Sequence, residues 1–443
     1  MGLVLRRHLP LLGFLLLCSV GTISAAWNVR NLGDGLSRVD PFSEANTIRE
    51  VWNFREYGIA SNEGLGNVLR PGMYPDEGFA GHPEFWAHSL SPTGVYTHYP
   101  PGPEYLLYAA TKIFGPSPVS RLRIVPLVIC WGAALFFGLA IWRRFGATVG
   151  YIVMFGCSVL PVFTDANAYL HYDGYAFALL LIEIGLILQA PDRPLGFLFL
   201  GFLQGWLSFD YFFLIILAPL ALELALSRMP IGHVPCLRRA FVRSVAAGTG
   251  FAIAHAVHFA EVCAYFGSFS AALHDLGDAA AYRSGMEQSG GLLAHLQLMK
   301  EIVQYYFVGP YPVSTFFWDL GAHDPESWRA FRFLGFSLGL WWLLLSVIAV
   351  VAALRGVLKI GDWLIVSLCG FVPAMAWMFV MTNHAVIHHH FLYRHLFICF
   401  LVWLLFATTN CLRVYAEWTV SKPAVASERL GGGSVTGLWR ALR

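Results

Sequence analysis

Ten stretches of this 443-residue sequence are apolar for about the length of a membrane crossing, and they limit the chain to few folds. A helix that crosses the hydrocarbon core of a bilayer needs about twenty mainly apolar residues. Helices pair their backbone groups internally, as the bilayer interior requires, whereas the strands of a membrane barrel are shorter and alternate in polarity. The sequence therefore predicts an all-α polytopic membrane protein with about ten transmembrane helices. The apolar windows are Leu9–Trp27, Ile124–Trp142, Thr148–Thr164, Gly174–Gln189, Leu195–Phe209, Tyr211–Leu226, Val245–Phe266, Phe331–Leu354, Trp363–Met381 and Leu392–Leu412.

The composition agrees with a membrane protein. Hydrophobic residues make up 57% of the chain and charged residues 13%, whereas about a quarter of the residues in a soluble domain are charged. The net charge of +2 and the lack of a basic tract give no reason to expect a nucleic-acid partner. The eight cysteines lie in or beside apolar windows, apart from Cys236 in a basic loop, so a disulfide framework is not expected.

Two long polar stretches divide the apolar windows into groups. The first window also resembles a signal peptide, because Arg6 and Arg7 precede it and Ser24-Ala25-Ala26 ends it, so cleavage is an alternative to anchoring. In both cases the chain after Trp27 lies outside the cytoplasm. The predicted parts are a first transmembrane helix (1–27), a large first extracytoplasmic loop with interfacial helices (28–121), helices two to seven (122–266), a second large extracytoplasmic loop (267–332), helices eight to ten (333–412) and a flexible cytoplasmic tail (413–443).

The distribution of basic residues predicts the orientation of the helices. Lys and Arg accumulate in short cytoplasmic loops, and here short basic loops alternate with short loops that have neither residue. Ten helices with both termini in the cytoplasm fit this alternation. Ionisable residues from distant segments then share the extracytoplasmic face, which predicts a polar cleft open to one side and argues against a channel. These residues are Asp40, Glu44, His98, Glu104, Asp165, His171, Asp173, Asp210, His388, His389, His390 and Arg394.

The first loop begins with a predicted amphipathic helix over residues 43–57, which Gly58 ends. Such a helix lies in the membrane interface with Trp52 at headgroup depth. Its acidic start, Asp40 and Glu44, is then at the membrane surface, where a lipid-linked phosphate is found. The alternative is that these acids only stabilise the helix N-terminus.

The end of the same loop is stiffened by Pro100 and Pro101, which block a helix before them and favour one over Gly102–Phe114. His98 and Tyr99 are thereby held at a helix N-terminus, which favours anions. Arg121 follows at the outer end of the next window, where the alternative is a side chain that reaches the lipid headgroups.

Glu44, Gly58, Pro100-Pro101, Phe114-Gly115 and Arg121 together resemble, in order and spacing, the lipid-dependent GT-C glycosyltransferases. The resemblance is to the group with the protein O-mannosyltransferases and the aminoarabinose and Rgt-type sugar transferases. Beyond Arg121 it is architectural only. The chain departs from the pattern where Ser43 stands in place of the Asp of an Asp-Glu pair, and where Tyr99 replaces a lysine.

The resemblance implies that residues 28–121 form a catalytic loop, and that a sugar leaves a polyprenyl phosphate with inversion. Phosphate leaves readily, so the reaction needs mainly a base for the acceptor and positive charge for the phosphate. We expect Asp40 or Glu44 to be the base. The residues expected to bind the donor phosphate are His98, Tyr99, Arg121 and Arg394, and those expected to bind the sugar or acceptor are His171, Asp173, Asp210 and His389. For residues at span ends, capping of a helix is the simpler alternative.

No metal and no cofactor are expected. His384, the histidines at 388–390 and His395 are an alternative metal site, but successive histidines in a loop do not all point one way. The predicted partners are a polyprenyl-phosphate-linked sugar, a lipid, glycan or protein acceptor, and membrane lipids. The predicted location is a bacterial plasma membrane with the active site on the extracytoplasmic face.

Two other functions remain open from the sequence. A transporter or lipid flippase with an outward-facing polar cavity should show inverted repeats and polar residues near the middle of several spans, and the sequence has neither clearly. A membrane acyltransferase built around a histidine is supported only by the cluster over residues 383–395.

Overall fold

The computed structural model of the protein describes residues 2–30, 41–68, 94–115, 119–158, 168–189, 193–285, 296–300, 338–356, 358–387 and 392–421, with single residues 160, 163 and 293. Within these ranges the chain is almost entirely helical. The helices are α1 (Gly2–Val29), α2 (Pro41–Tyr57), α3 (Gly102–Phe114), α4 (Val119–Leu122), α5 (Ile124–Phe145), α6 (Ala147–Ser158), α7 (Tyr172–Gln189), α8 (Pro194–Leu207), α9 (Phe212–Ser227), α10 (Leu237–Phe266), α11 (Phe269–Ser284), α12 (Leu338–Leu354), α13 (Ile360–Val380), α14 (Thr382–Ile387), α15 (Leu392–His395) and α16 (Phe397–Ser421). A short 3-10 helix (Ile59–Asn62) follows α2, and strand β1 (Gly66–Asn67) pairs antiparallel with β2 (Val95–Tyr96).

The predicted all-α membrane architecture is confirmed. In the described ranges, six segments are long and apolar enough to cross a bilayer: Leu9–Trp27, Val119–Phe145, Tyr172–Gln189, Leu237–Phe266, Ile360–Val380 and Phe397–Glu417. The other four apolar windows coincide with apolar helices of 10–17 residues, namely α6, α8, α9 and the Leu343–Leu354 part of α12. The count of ten spans therefore stays a prediction.

The bundle has a polar end and a basic end. α5 starts next to Arg123 and has Arg144 in its last turn, and α9 starts after Asp210 and ends before Arg228. At the basic end Arg228 Nη1 lies 3.6 Å from Asp362 Oδ1 at the start of α13. The loops that the sequence separates into neutral and basic groups thus lie at opposite ends of the helices. Which end faces the cytoplasm stays a prediction.

α2 is docked on α3. It begins at Pro41, two residues before the predicted start, because proline is well tolerated at the first helical position. Val51 is fully buried and belongs to one apolar cluster with Leu107 of α3. The helix ends where predicted: the N–H of Gly58 donates to the Phe54 carbonyl at 2.9 Å, and Gly58 has φ +84°, a conformation that favours glycine. The first helix of the first loop, α2, is therefore packed against the second helix of that loop, α3.

α8 and α10 cross in backbone contact. A Cβ added at Gly201 would lie 2.0 Å from the carbonyl oxygen of Ala247, and one at Gly250 would lie 1.9 Å from that of Leu198. Small residues at such crossings let two membrane helices approach closely, where dispersion contacts stabilise the pair. The crossing fixes the α8–α9 turn against the rest of the polar end.

Gly201→Ala should therefore destabilise the protein by about 1–3 kcal/mol, because the added methyl overpacks the crossing. Gly196→Ala on the same helix is the matched control, since no atom lies within 4 Å of its added Cβ. Thermal unfolding in detergent should show a lower midpoint for the first variant and an unchanged one for the second. Equal midpoints would contradict the close crossing.

Candidate functional site

The segment that carries Tyr99 is fixed on both sides. β2 pairs with β1 before it, and the prolines at 100 and 101 delay α3 until Gly102. Gly102 lies against the end of α8, because a Cβ there would be 2.2 Å from the Trp206 carbonyl oxygen. The short run between β2 and α3 is therefore held beside the α8–α9 turn, which contains Asp210.

Four side chains from four separate segments form what we term the Asp210 cluster: Tyr99, Tyr172, Asp210 and His384. The Tyr172 hydroxyl donates to Asp210 Oδ2 at 2.5 Å, and the Tyr99 hydroxyl donates to the same oxygen at 3.3 Å. His384 Nε2 lies 3.3 Å from Asp210 Oδ1 and 3.3 Å from the Tyr99 hydroxyl. The N–H of Asp210 also donates to the Ser208 hydroxyl at 3.0 Å. These contacts fix the orientation of the carboxylate.

The Asp210 carboxylate is ionised at neutral pH. Burial alone would raise its pKa. The charge and hydrogen bond of His384, the hydrogen bond from Tyr172 and the charge of Arg283 outweigh burial, and they hold the pKa of Asp210 well below its ordinary value of 3.8.

A stack of aromatic rings surrounds Tyr99. Its ring is nearly parallel to those of Tyr96 (centroids 5.8 Å apart, 9°), Tyr172 (5.1 Å, 22°) and Phe209 (4.5 Å, 25°). The guanidinium carbon of Arg283 lies 4.5 Å from the Phe209 centroid and 4.9 Å from that of Tyr99. This is a cation–π arrangement, which holds a positive charge at the edge of the Asp210 cluster.

Arg283 differs from Arg123 and Arg394, which are both 2% exposed at this end. Arg123 and Arg394 each bind a buried carboxylate. In the described part of the chain, by contrast, Arg283 is positioned by aromatic rings and makes no ion pair with a carboxylate. Its fork of N–H donors is therefore suited to an anionic ligand.

α11 is fastened to the Tyr99 segment. Thr97 Oγ1 donates to Asp275 Oδ2 at 2.6 Å, and His98 Nε2 lies 3.6 Å from Asp275 Oδ1. His258 Nε2 donates to the Thr97 carbonyl at 2.8 Å. Burial lowers the pKa of His98, and the hydrogen bond to Asp275 opposes this only in part, so His98 is neutral at pH 7. Because Arg283 is at the end of α11, this contact sets its place over the rings.

Glu44 is engaged in a buried, two-pronged ion pair. Arg123 Nη1 and Nη2 donate to its two carboxylate oxygens at 2.7 and 2.9 Å, and both side chains are almost fully buried. The Leu170 N–H donates to Glu44 Oε1 at 3.1 Å, and Arg123 Nη1 also donates to the Ala168 carbonyl at 3.1 Å. Glu44 thus joins α2 to the segment before α7.

A second ion pair holds the other side of that segment. Arg394 Nη1 binds Asp173 Oδ1, and both side chains are 2% exposed. His171 Nδ1 lies 3.2 Å from Asp173 Oδ2. The run 168–173 is therefore clamped between two buried arginine–carboxylate pairs.

Two further buried carboxyl groups belong to this end, Glu50 on α2 and Glu104 on α3. Thr47 Oγ1 donates to Glu104 Oε1 at 2.8 Å. Burial raises the pKa of both groups, and the nearby Glu104 charge raises that of Glu50 further. A Cβ at Gly66 would lie 1.9 Å from Glu50 Oε2, so the backbone of β1 covers this carboxyl. No group of three or more His, Cys, Asp or Glu side chains within the described ranges is arranged to hold a metal.

The structure brings several predicted residues together. His98, Tyr99 and Asp210 meet around α11, and Glu44, His171, Asp173 and Arg394 are joined through the run 168–173. Arg121 lies exposed on α4, and Arg123, two residues later, is the arginine that binds Glu44. The predicted residues that lie outside the described part of the chain are Asp40, Asp165, His388, His389 and His390.

Five residues that shape this site are not among the site residues predicted from the sequence. Tyr172 and Arg123 stand at the starts of apolar windows, where capping or snorkelling is the ordinary explanation. Arg283 and Asp275 lie in the second loop with no motif around them, and His384 counted only as a member of the cluster over residues 383–395. The one available signal was position, because all five follow or precede windows at the same predicted face.

Comparisons with known proteins find related structures but no related sequence family. No protein-family model and no curated protein matches the chain. The archaeal oligosaccharyltransferase AglB from Archaeoglobus fulgidus, in complex with an inhibitory peptide and a dolichol-phosphate, is 15% identical and superposes with a TM-score of 0.46 over 97% of this chain and 53% of AglB.

Two other structures of the Archaeoglobus fulgidus oligosaccharyltransferase are similar. The apo form is 12% identical over 99% of this chain and 54% of that one, with a TM-score of 0.44. The form tethered to an acceptor peptide with the NVT sequon is 16% identical over 95% and 52%, also at 0.44. This chain spans about half the length of these structures.

Glu44→Gln should destabilise the protein by about 3–5 kcal/mol, because it leaves the buried charge of Arg123 uncompensated. Replacing both members, Glu44→Leu with Arg123→Met, should recover most of the loss. The control is Glu417→Gln, which removes an exposed partner of Arg413 and should cost less than about 1 kcal/mol. Thermal unfolding of the four proteins tests this, and a Glu44→Gln protein as stable as the control would refute it.

Proposed function

We propose that this protein is a membrane glycosyltransferase that moves a sugar from a polyprenyl-phosphate donor to an acceptor at the polar end of the bundle. The observation that carries the proposal is the placement of an ionised carboxylate, Asp210, and the cation of Arg283 around the same aromatic stack. Sugar transfer from a phosphate needs this pair of functions, a base and a positive charge for the leaving group.

Asp210 is the proposed base. It is ionised, and the hydroxyls of Tyr172 and Tyr99 orient it. In the reaction the acceptor oxygen bonds to the anomeric carbon, its proton passes to Asp210, and the bond from that carbon to the phosphate oxygen breaks. Attack opposite the phosphate inverts the anomeric centre.

Glu44, one of the two carboxylates predicted as bases from the sequence, is engaged elsewhere. Both oxygens of Glu44 accept hydrogen bonds from Arg123, which supports a positioning role for this residue. Asp40 lies outside the described residues and stays a predicted base.

Arg283 is the proposed partner of the leaving phosphate. A guanidinium holds two phosphate oxygens at once, and Tyr99 lies directly below Arg283. Arg394 is paired with Asp173, which supports a role in holding α7 rather than the phosphate. Arg121 is exposed on α4 and stays a predicted contact to the donor. His98, which lies beside Asp275, also stays a predicted contact to the donor.

Asp210→Asn should lower the rate of sugar transfer about a hundredfold or more, because the base is lost while the shape is kept. The matched control is Asp278→Asn, an exposed acid on α11, which should transfer normally. The measurement is transfer of radiolabelled sugar from a panel of polyprenyl-phosphate sugars to lipid, glycan and peptide acceptors by purified, reconstituted protein. Normal transfer by Asp210→Asn would disprove the base, and no donor consumed by the wild type would disprove the function.

The defect of Asp210→Asn should be the same at every pH from about 5 to 8. The pKa of Asp210 is held below 3.8, so the wild-type carboxylate stays ionised throughout this range. The ratio of wild-type to variant rates, measured across that range, is then constant. A ratio that falls on acidification toward pH 5 would show that Asp210 titrates there, against this account.

A further inference from the structure

Two cavities adjoin at the basic end of the bundle, far along the helices from the proposed active site. One is a cleft of about 490 Å³ between α12, α13 and α16. The other is a pocket of about 320 Å³ between the loop that follows α9 and the start of α13. Leu358, Phe406 and Asn410 line both. The two cavities are therefore adjacent and share a wall.

The larger cavity is apolar. Its floor includes Trp363 and Phe406, which are 1% and 2% exposed, and its rim includes the exposed side chains of Val347 and Val351. The Trp363 Nε1–H donates to the Ser346 hydroxyl at 3.0 Å, so the polar atom of the floor is satisfied within the protein. The volume is in the range of small-molecule sites, and the lining suits a hydrocarbon chain.

The smaller cavity is basic. Arg228, Lys359 and Arg413 line it together with one carboxylate, Asp362, and Arg413 Nε also lies 2.8 Å from Glu417 Oε1 outside the lining. Asp362 lies 3.6 Å from Arg228, and Lys359 makes no ion pair within the described ranges. The pocket therefore attracts an anion, and Arg355 adds a further cation at the edge of the apolar cleft.

We infer that these two cavities form one binding site for an anionic phospholipid of the membrane. Its phosphodiester lies in the basic pocket, and one acyl chain lies in the apolar cleft. The basic side chains favour an anionic headgroup. Leu358, Phe406 and Asn410 line both the headgroup pocket and the acyl-chain cleft, so one lipid molecule can occupy both. The sequence predicts this end to be cytoplasmic, where anionic lipids give the leaflet a negative potential.

The test is lipid retention by protein purified in neutral detergent, measured by native mass spectrometry with phosphatidylglycerol and phosphatidylcholine of identical chains. The wild type should retain phosphatidylglycerol in preference. Lys359→Gln with Arg413→Gln should weaken its binding about 30-fold, since each cation near an anionic headgroup contributes about fivefold. Ala352→Phe, which fills the cleft and leaves every charge in place, should weaken it as well.

The matched control is Arg193→Gln with Arg238→Gln, which removes two exposed arginines from a separate basic cavity at the same end. This double variant should retain phosphatidylglycerol as the wild type does. Equal loss in both double variants would show unspecific surface attraction and overturn the site. Displacement of the lipid by millimolar inorganic phosphate, or full retention by Ala352→Phe, would show an anion pocket alone and overturn the lipid assignment. Unfolding midpoints confirm that each variant is folded, and the readout is independent of the proposed glycosyl transfer.

Discussion

The polar end of this bundle depends on the cost of burying charge. A charged group loses its hydration there, and only a partner with good geometry offsets the loss. Two of the buried arginines meet this condition within the protein, Arg123 through Glu44 and Arg394 through Asp173. Both pairs clamp the run 168–173, which delivers Tyr172 to Asp210. The ion pairs thus act on the site indirectly, by fixing where its hydroxyl and carboxylate groups stand.

Arg283 and Asp210 are the two charges at this end for which we propose a role in binding the donor and acceptor. Arg283 rests on the faces of Tyr99 and Phe209, and Asp210 is oriented by hydroxyls and His384. Arg283 contacts the ring of Tyr99, Asp210 contacts its hydroxyl, and the two charges form no direct ion pair within the described ranges. A donor that carries both a sugar and a phosphate would place one group toward each of them. At its other end the same bundle has a basic pocket beside an apolar cleft, so the two ends differ in the ligands that their side chains suit.

Much of the fold follows from local sequence signals. α3 has the predicted bounds, since the prolines at 100 and 101 exclude a helix before it and Gly115, at φ +75°, ends it. Within the described ranges, each of the ten apolar windows contains an apolar helix, as expected where a bilayer requires the backbone groups to pair internally. The start of α2 differs by two residues, since Pro41 is accepted inside the first turn rather than before it.

The site was only partly predictable because its contacts join distant parts of the chain. Tyr99 and His384 are 285 residues apart in sequence, and no local pattern announces their meeting. The predicted topology alone placed Asp210 at the same end of the helices as the first loop. It pointed to Arg121, which is exposed on α4, whereas Arg123, at the break between α4 and α5, is the buried arginine. Nor did any motif mark Arg283, whose place is set by the contact of Asp275 with Thr97.

The central claim is that the guanidinium of Arg283 receives the phosphate of a polyprenyl-phosphate ligand above the Tyr99 stack. An experimental structure in lipid nanodiscs with bound polyprenyl phosphate tests it most directly. The account predicts phosphate oxygens about 2.7–2.9 Å from the Arg283 nitrogens, with Asp210 still bound by the hydroxyls of Tyr99 and Tyr172. Phosphate density bound elsewhere, with Arg283 still resting on Tyr99 and Phe209 and touching no ligand, would contradict it.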